Sequence, residues 1–419
     1  MITQSPPQHL SLDDALTEDL DALRARDRER SLRRVWNRRG AVVETDRGPA
    51  VDFSSNDYLG LASDPRLAEA AARAMRDHGV GSGAARLISG NNVEHEALES
   101  EIAEFFGAER ALTFSSGYAA NVGAISALVG RDDVVFSDAL NHASVIDGCR
   151  LSRATLHVYP HRDVDDLARL LARHRKTARR ALIVSDGLFS MDGDFAPMAE
   201  IVGLAKRFDA WTYIDDAHAI GVMGDDGKGT ASAANLHGQI DVTVGTLGKS
   251  FGAAGAFVYG SATLAHYLLN RARSFIFSTA MPPAQAAAAR EAIRIARTEP
   301  DRRARVLSNA AQILRHHEPL CHHDHERSEG EGSALSVVPA VPALPAVPAV
   351  SPIIPIQLGD EATTMRIGGE LATRGFLVGA VRPPTVPVGG SRLRITASAA
   401  HTPEQIDALG AALAELLAR

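Results

Sequence analysis

Between residues 47 and 285 the sequence repeats one pattern: a short apolar run rich in β-branched residues, closed by a small, polar or acidic residue and followed by an amphipathic stretch of helical spacing. DVVFSD, ALIVSDG, TYIDDAH and DVTVGT are such runs. Strands covered on both faces read as near-continuous apolar segments, and their alternation with helices builds βαβ units around a parallel sheet. Sheets of this kind bind ligands beyond the carboxyl ends of their strands, so the polar closures mark where chemistry is expected. The expected class is α/β: a large domain on a mostly parallel central sheet, with a smaller C-terminal α/β domain.

The boundaries follow from changes in pattern. Residues 1–46 are expected to form an N-terminal helical segment, with helical spacing over 11 to 39. Residues 47–287 form the large domain and 288–419 the small one, the latter ending in the helical TPEQIDALGAALAELLA. Within it SVVPAVPALPAVPAVSPIIP, around 330–352, is punctuated by prolines that forbid a continuous helix, and reads as an extended connector. A chain of 419 residues has room for such an arrangement and for a deep site.

Charge and cysteine content remove several function classes. A net charge of -7 supplies no positive field for a nucleic acid. The arginine-rich RARDRERSLRRVWNRR is interleaved with acidic residues up to Glu29, and reads as a solvated or dimer-contacting helix. No run of about 18 apolar residues is present, so no membrane span is expected, and the N-terminus has acidic residues where a secretion signal is basic. Two cysteines, Cys149 and Cys321, make no disulfide framework, and a cytoplasmic setting fits. The tract HHEPLCHHDHE crowds its histidines too closely for usual metal-ligand spacing, so no metal is expected.

Only four of the 44 basic residues are lysines, so each can be weighed. Lys176, Lys206 and Lys228 sit in charged or polar surroundings and read as solvated. Lys249 follows DVTVGT in TLGKSFGAAG, among small residues that let other groups close around its amine. Desolvation lowers an amine's pKa, as Schiff-base chemistry requires. TYIDDAHAIG sets Asp215 and His218 at the end of a second strand, where the carboxylate suits a pyridinium nitrogen. Taken alone, the pair reads better as a helix cap. FSSGYAAN places Gly117 and Tyr118 at a helix start, where backbone amides favour phosphate and an aromatic ring can stack on a heterocycle. GVGSGAAR has Arg86 where a dinucleotide fingerprint needs glycine and lacks a preceding strand, which argues against a nicotinamide site.

FSSNDYLGL, GSGAARLISGNNVEHEALE, FSSGYAAN, SDALNHASVIDGCRLS, SDGLFSMDGDFAP, IDDAHAIGVMG, TLGKSFGAAGA, FIFSTAMPPAQA, VRPPTVP and SRLRITASAAHT together resemble, in order and over nearly the whole chain, the α-oxoamine synthases, a family of fold type I pyridoxal-phosphate enzymes. The resemblance implies pyridoxal 5'-phosphate as cofactor, carried covalently by Lys249, with Thr246 at its phosphate, Asp215 at the pyridine nitrogen, His218 at the phenolic oxygen and His142 stacked on the ring. It also implies cofactor contacts from Gly117, Tyr118 and Ser190. Lys249, His142, Asp215 and His218 would carry the catalysis. Arg394 would bind the amino-acid carboxylate, and Asn56, His142 and Thr385 would line the substrate site together with Arg30, or alternatively Arg33. The resemblance further implies a homodimer with active sites at its interface.

MPPAQA and VRPPTVP look most like the branch of the family that condenses L-alanine with a pimeloyl thioester, on acyl carrier protein or coenzyme A, with loss of carbon dioxide. Sister activities such as glycine C-acetyltransferase, or a catalytically silent subunit, remain alternatives. Asp186 stands where many members have glutamate.

Overall fold

A computed structural model describes residues 11–327 and 350–418, with the side chains of 317–327 outside the description. Its strands are β1 (Val35–Arg39), β2 (Val42–Thr45), β3 (Gly48–Asp52), β4 (Arg110–Phe114), β5 (Val134–Asp138), β6 (Thr155–Tyr159), β7 (Ala181–Asp186), β8 (Trp211–Asp215), β9 (Val242–Thr246), β10 (Ala256–Gly260), β11 (Ile353–Gly359), β12 (Phe376–Leu377), β13 (Gly379–Val381) and β14 (Ser391–Thr396).

A seven-stranded sheet in the order β4-β10-β9-β8-β7-β5-β6 forms the centre. β9, β8, β7, β5 and β6 pair in parallel, while β10 runs antiparallel between β4 and β9. Every residue of β5 and β7 is buried. Leu182 and Val184 pack on one face with the helix Gly117–Leu128, whereas Ala181 and Ile183 pack on the other with Leu167 and Ile201. Each such large side chain contributes roughly 1.5–3 kcal/mol through burial.

Three expected boundaries move. The N-terminal helix spans only Leu12–Arg24, ending where Asp27 takes a left-handed φ of 54°, and from Val35 the chain is strand, because VVET alternates between core and solvent. β3 leaves the expected large domain: it joins a four-stranded sheet, β1-β2-β3-β12, pairing in parallel with Phe376 and Leu377. The expected boundary at 287 falls inside the helix Pro283–Thr298, whose Ala286, Ala289, Ala292, Ile293 and Ala296 bury one continuous stripe in the core of the larger unit.

The C-terminal unit holds the sheet β11-β14-β13, covered by helices Glu361–Thr373 and Pro403–Leu417. Most of the expected connector lies outside the described residues. Its end does not: Ser351 and Pro352 are buried, and the Pro352 carbonyl accepts a hydrogen bond from Ala397 N at 2.9 Å. Among the described residues no helix is long and apolar enough to cross a membrane.

Candidate active site

Four neighbouring strands of the central sheet end in Thr246, Asp215, Asp186 and Asp138, in sheet order. Asp186 and Asp215 are direct partners across β7 and β8. Three carboxylates in a row repel one another, so each must be balanced or protonated. Asp138 Oδ1 meets His161 Nδ1 at 2.9 Å. Asp186 has one backbone donor, His142 N at 3.2 Å, and its burial, with Asp215 beside it, holds its carboxyl well above the usual range.

Asp215 stays in a polar cradle. Its Oδ1 accepts from Ala217 N at 3.1 Å and its Oδ2 from Asn121 Nδ2 at 2.5 Å. Asn121 also donates to Ser144 Oγ at 2.8 Å and accepts from the Tyr213 hydroxyl at 2.8 Å. The sequence reading gives no role to Asn121 or Ser144, although Asn121 is the one amide in the mostly apolar GYAANVGAISAL.

Lys249 is carried by the turn between β9 and β10. Leu247 N bonds to Gly255 O, Ala253 N to Leu247 O and Gly252 N to Lys249 O, each at 2.9 Å. Gly252 has φ +59° and sits against the backbone of Leu61 and Ala62, so a side chain there would be strained and blocked. The turn directs Lys249 Nζ to His218 Nε2 at 2.8 Å, and the opposite ring nitrogen of His218 lies 2.7 Å from the Tyr58 hydroxyl. Burial lowers the Lys249 pKa to about 8, partly opposed by Asp215 and Asp186. Burial, then the Lys249 and Arg394 charges, holds His218 well below its usual range, so the ring is neutral. The other lysines differ: Lys176 and Lys206 are exposed and Lys228 pairs with Asp226 at 3.0 Å.

Arg394, on β14, crosses to this site from the C-terminal unit. Its Nε donates to the Ser190 carbonyl at 2.5 Å and its Nη2 to Asn56 Oδ1 at 3.1 Å. Ser190 belongs to a hairpin closed by the Leu188–Phe195 bridge and held from the far side by His161 Nε2 to Asp194 Oδ2 at 2.9 Å. His142 caps the helix Ala143–Ser152 and keeps an exposed imidazole, its Nδ1 2.7 Å from Ser144 Oγ. Gly117 and Tyr118 open their helix, where first-turn amides lack intrahelical acceptors, and the Tyr118 hydroxyl donates to Asp147 Oδ2 at 2.5 Å. Thr246 Oγ1 donates to Gly255 O at 3.1 Å. Thr385 stands farther out and meets Arg30 Nη2 at 3.5 Å, while Arg33 is exposed. Arg86 is structural, bonding both oxygens of Glu99 at 2.9 and 3.0 Å. An apolar groove lined by Phe106, Trp211, Tyr259 and Tyr267 lies at the opposite edge, by the strands' amino ends, and takes no part in this cluster.

This donor set suits a phosphorylated pyridine aldehyde: an amine of lowered pKa, a carboxylate, two imidazoles and a helix start converge at one sheet edge. The family model for aminotransferase class I and II matches residues 49–413. An 8-amino-7-oxononanoate synthase of Anaeromyxobacter dehalogenans (strain 2CP-1 / ATCC BAA-258) is 46% identical over 404 residues, covering 96% of each chain. The chain belongs to the class I and II aminotransferase family, among the 8-amino-7-oxononanoate synthases. Another relative of that name in this family, from Methylococcus capsulatus, is 45% identical and covers 94% of this chain and 96% of its own. Among solved members, a serine palmitoyltransferase from S. paucimobilis with a bound PLP-myriocin adduct superposes with TM-score 0.85 at 29% identity, covering 96% of this chain and 98% of that one. The 8-amino-7-oxononanoate synthase of Francisella tularensis gives 0.71 at 28% identity, covering 88% and 97%. Membership establishes a fold type I transferase with pyridoxal phosphate as cofactor, in which GVGSGAAR follows the helix Pro65–His78 rather than a strand.

Proposed function

We propose that the chain joins L-alanine to a pimeloyl thioester, giving 8-amino-7-oxononanoate, carbon dioxide and the free carrier thiol. The convergence of Lys249, His218, Asn56 and Arg394 carries this reading, with the names of the relatives supporting the substrate choice. Bound pyridoxal phosphate supplies an electron sink for charge developing at the amino-acid α-carbon. Lys249 holds the cofactor and, with its pKa near 8, serves near neutrality as the base that takes the α-proton. Asp215 keeps the pyridine nitrogen protonated, held in place by Asn121. His218 presents its Nε2 to Lys249 and the cofactor, and His142 offers its exposed ring for stacking. Arg394, oriented by Ser190 and Asn56, pairs with the alanine carboxylate. The deprotonated Cα of alanine bonds to the thioester carbonyl carbon as the C–S bond breaks, the thiolate takes a proton, the alanine carboxyl departs as carbon dioxide, and the bond pair it leaves on Cα takes up the proton held by Lys249.

Gly117, Tyr118, Ser190 and Thr246 complete the proposed cofactor site, and Arg30 with Thr385 the outer substrate wall. Exposed apolar side chains on the first helix, Leu12, Leu16, Leu20 and Leu23, and at Ile88 and Phe277, support a homodimer. Asp186, a methylene shorter than glutamate, is buried and accepts the His142 backbone N–H at 3.2 Å.

Assay of alanine, glycine and serine against pimeloyl and acetyl thioesters tests the reading. Each added buried methylene is worth about 0.8 kcal/mol, so kcat/KM with alanine favours pimeloyl over acetyl. Equal or better use of glycine with acetyl-CoA transfers the assignment to a glycine C-acetyltransferase. Absence of any cofactor band in the visible spectrum would make the chain a silent subunit.

A further inference from the structure

Tyr58 is fully enclosed, yet its hydroxyl faces two polar partners: His218 Nδ1 at 2.7 Å and the acceptor Asn56 Oδ1 at 3.3 Å. Asn56 Oδ1 already receives Arg394 Nη2, and His218 Nε2 faces Lys249 Nζ. These groups form one line from Arg394 through Asn56, Tyr58 and His218 to Lys249. Burial raises the Tyr58 pKa, so the phenol is neutral and brings a single hydrogen to this line.

Counting hydrogens leaves two arrangements. If Tyr58 donates to Asn56, it must accept from Nδ1–H, and His218 then shows a bare Nε2, which suits an ammonium on Lys249. If Tyr58 donates to Nδ1, His218 shows Nε2–H, which suits a neutral amine or an anionic oxygen. The choice is made at Tyr58, because among the described residues no other side chain reaches Nδ1.

We propose that Tyr58 is a positioning residue that sets the tautomer of His218, turning Nε2 into a donor toward the cofactor's phenolic oxygen and joining Lys249 to the Asn56–Arg394 end of the site. The proposal rests on the assignment of Lys249 and His218 to the pyridoxal phosphate site. It adds a residue outside that set, brought in from the loop after β3. The charged and titratable groups facing His218 are Lys249, Arg394 and His142, and those facing Lys249 include Asp215, Asp186 and Arg394.

The test uses the full-length enzyme loaded with pyridoxal phosphate and reads the pH midpoint of its visible absorption change. Tyr58→Phe removes the donor to Nδ1, weakens Nε2–H and leaves the cofactor oxygen more basic. The midpoint should rise by about 0.5 to 1 pH unit, the size that loss of one neutral hydrogen bond allows. The value of kcat should fall about 3- to 10-fold with the KM for alanine changed less. Exchange of Tyr58 alone for 3-fluorotyrosine, a stronger donor of nearly the same shape, should move the midpoint down. In a His218→Gln background, Tyr58→Phe should move nothing. An unmoved midpoint in loaded Tyr58→Phe, a rise with 3-fluorotyrosine, or an equal shift in the His218→Gln background overturns the proposal. Borohydride reduction and peptide mapping separate the two readings. Label away from Lys249 overturns the site assignment and the proposal with it, whereas label on Lys249 with unmoved midpoints overturns only the role of Tyr58.

Discussion

Asn121 reaches from the helix Gly117–Leu128 to place its Nδ2 2.5 Å from Oδ2 of Asp215 at the end of β8, so the carboxylate is held by a side chain from a different layer of the fold. Hydrogen bonds to charged groups contribute about 1.5–3 kcal/mol. Asn121→Ala should therefore weaken pyridoxal phosphate retention or turnover roughly 10- to 100-fold. Cofactor titration followed by kcat measurement checks it, and a value within twofold of the parent would show that Asp215 orients itself.

Asp215→Asn keeps the shape of that contact and removes the charge. An opposite charge shifts a neighbouring pKa by about 1–3 units, so the protonated pyridine population should drop about 10- to 1000-fold and turnover with it. Cofactor binding should persist. Turnover near normal in the loaded variant would reject the pairing.

Lys249 carries a pH signature in folding. Its folded pKa of about 8 lies below the unfolded value near 10.5, so the folded cofactor-free chain binds fewer protons between those limits and gains stability as pH rises through them. Below pH 8 the enclosed ammonium costs at most about 3 kcal/mol. Lys249→Met should then be the more stable cofactor-free protein at pH 7, with the gap narrowing toward pH 10. Denaturant midpoints at both pH values measure this, and a constant gap would contradict it.

His161 shows the opposite sign. Burial alone would lower its pKa, but hydrogen bonds to Asp138 and Asp194 outweigh that and raise it to about 9. A folded pKa above the unfolded value near 6.5 means that this stabilisation is complete below about 6.5 and is lost as pH rises through 9. His161→Gln should lose up to about 3 kcal/mol at pH 6 and much less at pH 9.5. Because Asp194 anchors the hairpin that carries Ser190, alanine KM should rise in parallel. A destabilisation independent of pH would remove the charge from the explanation.

The central sheet was legible because β7, β8 and β9 bury both faces and then stop on polar residues. That is also why Asp215 and Lys249 could be singled out before any geometry was known. Tyr58 and Asn121 escaped notice for the same physical reason. Their partners lie 160 and 94 residues away, and a buried polar side chain announces itself only through the group it satisfies. β12 was also invisible: two residues carry no periodicity, and their strand conformation follows from pairing with Val51 and Asp52. The helix expected to run to residue 39 read an arginine-rich stretch by charge alternation, which does not distinguish a helix from an exposed strand such as β1.

The pairing of β3 with β12, and of Asn56 with Arg394 across 338 residues, also sets a timetable for synthesis. Chains fold from the N-terminus as they emerge. The seven strands that carry Asp215 and the segment bearing Lys249 and His218 leave the ribosome well before β12 and β14 are made. For that interval the sheet that receives the coenzyme exists without Arg394, the residue proposed to pair with the amino-acid carboxylate. The last part translated thus decides when a nascent chain becomes competent for its substrate.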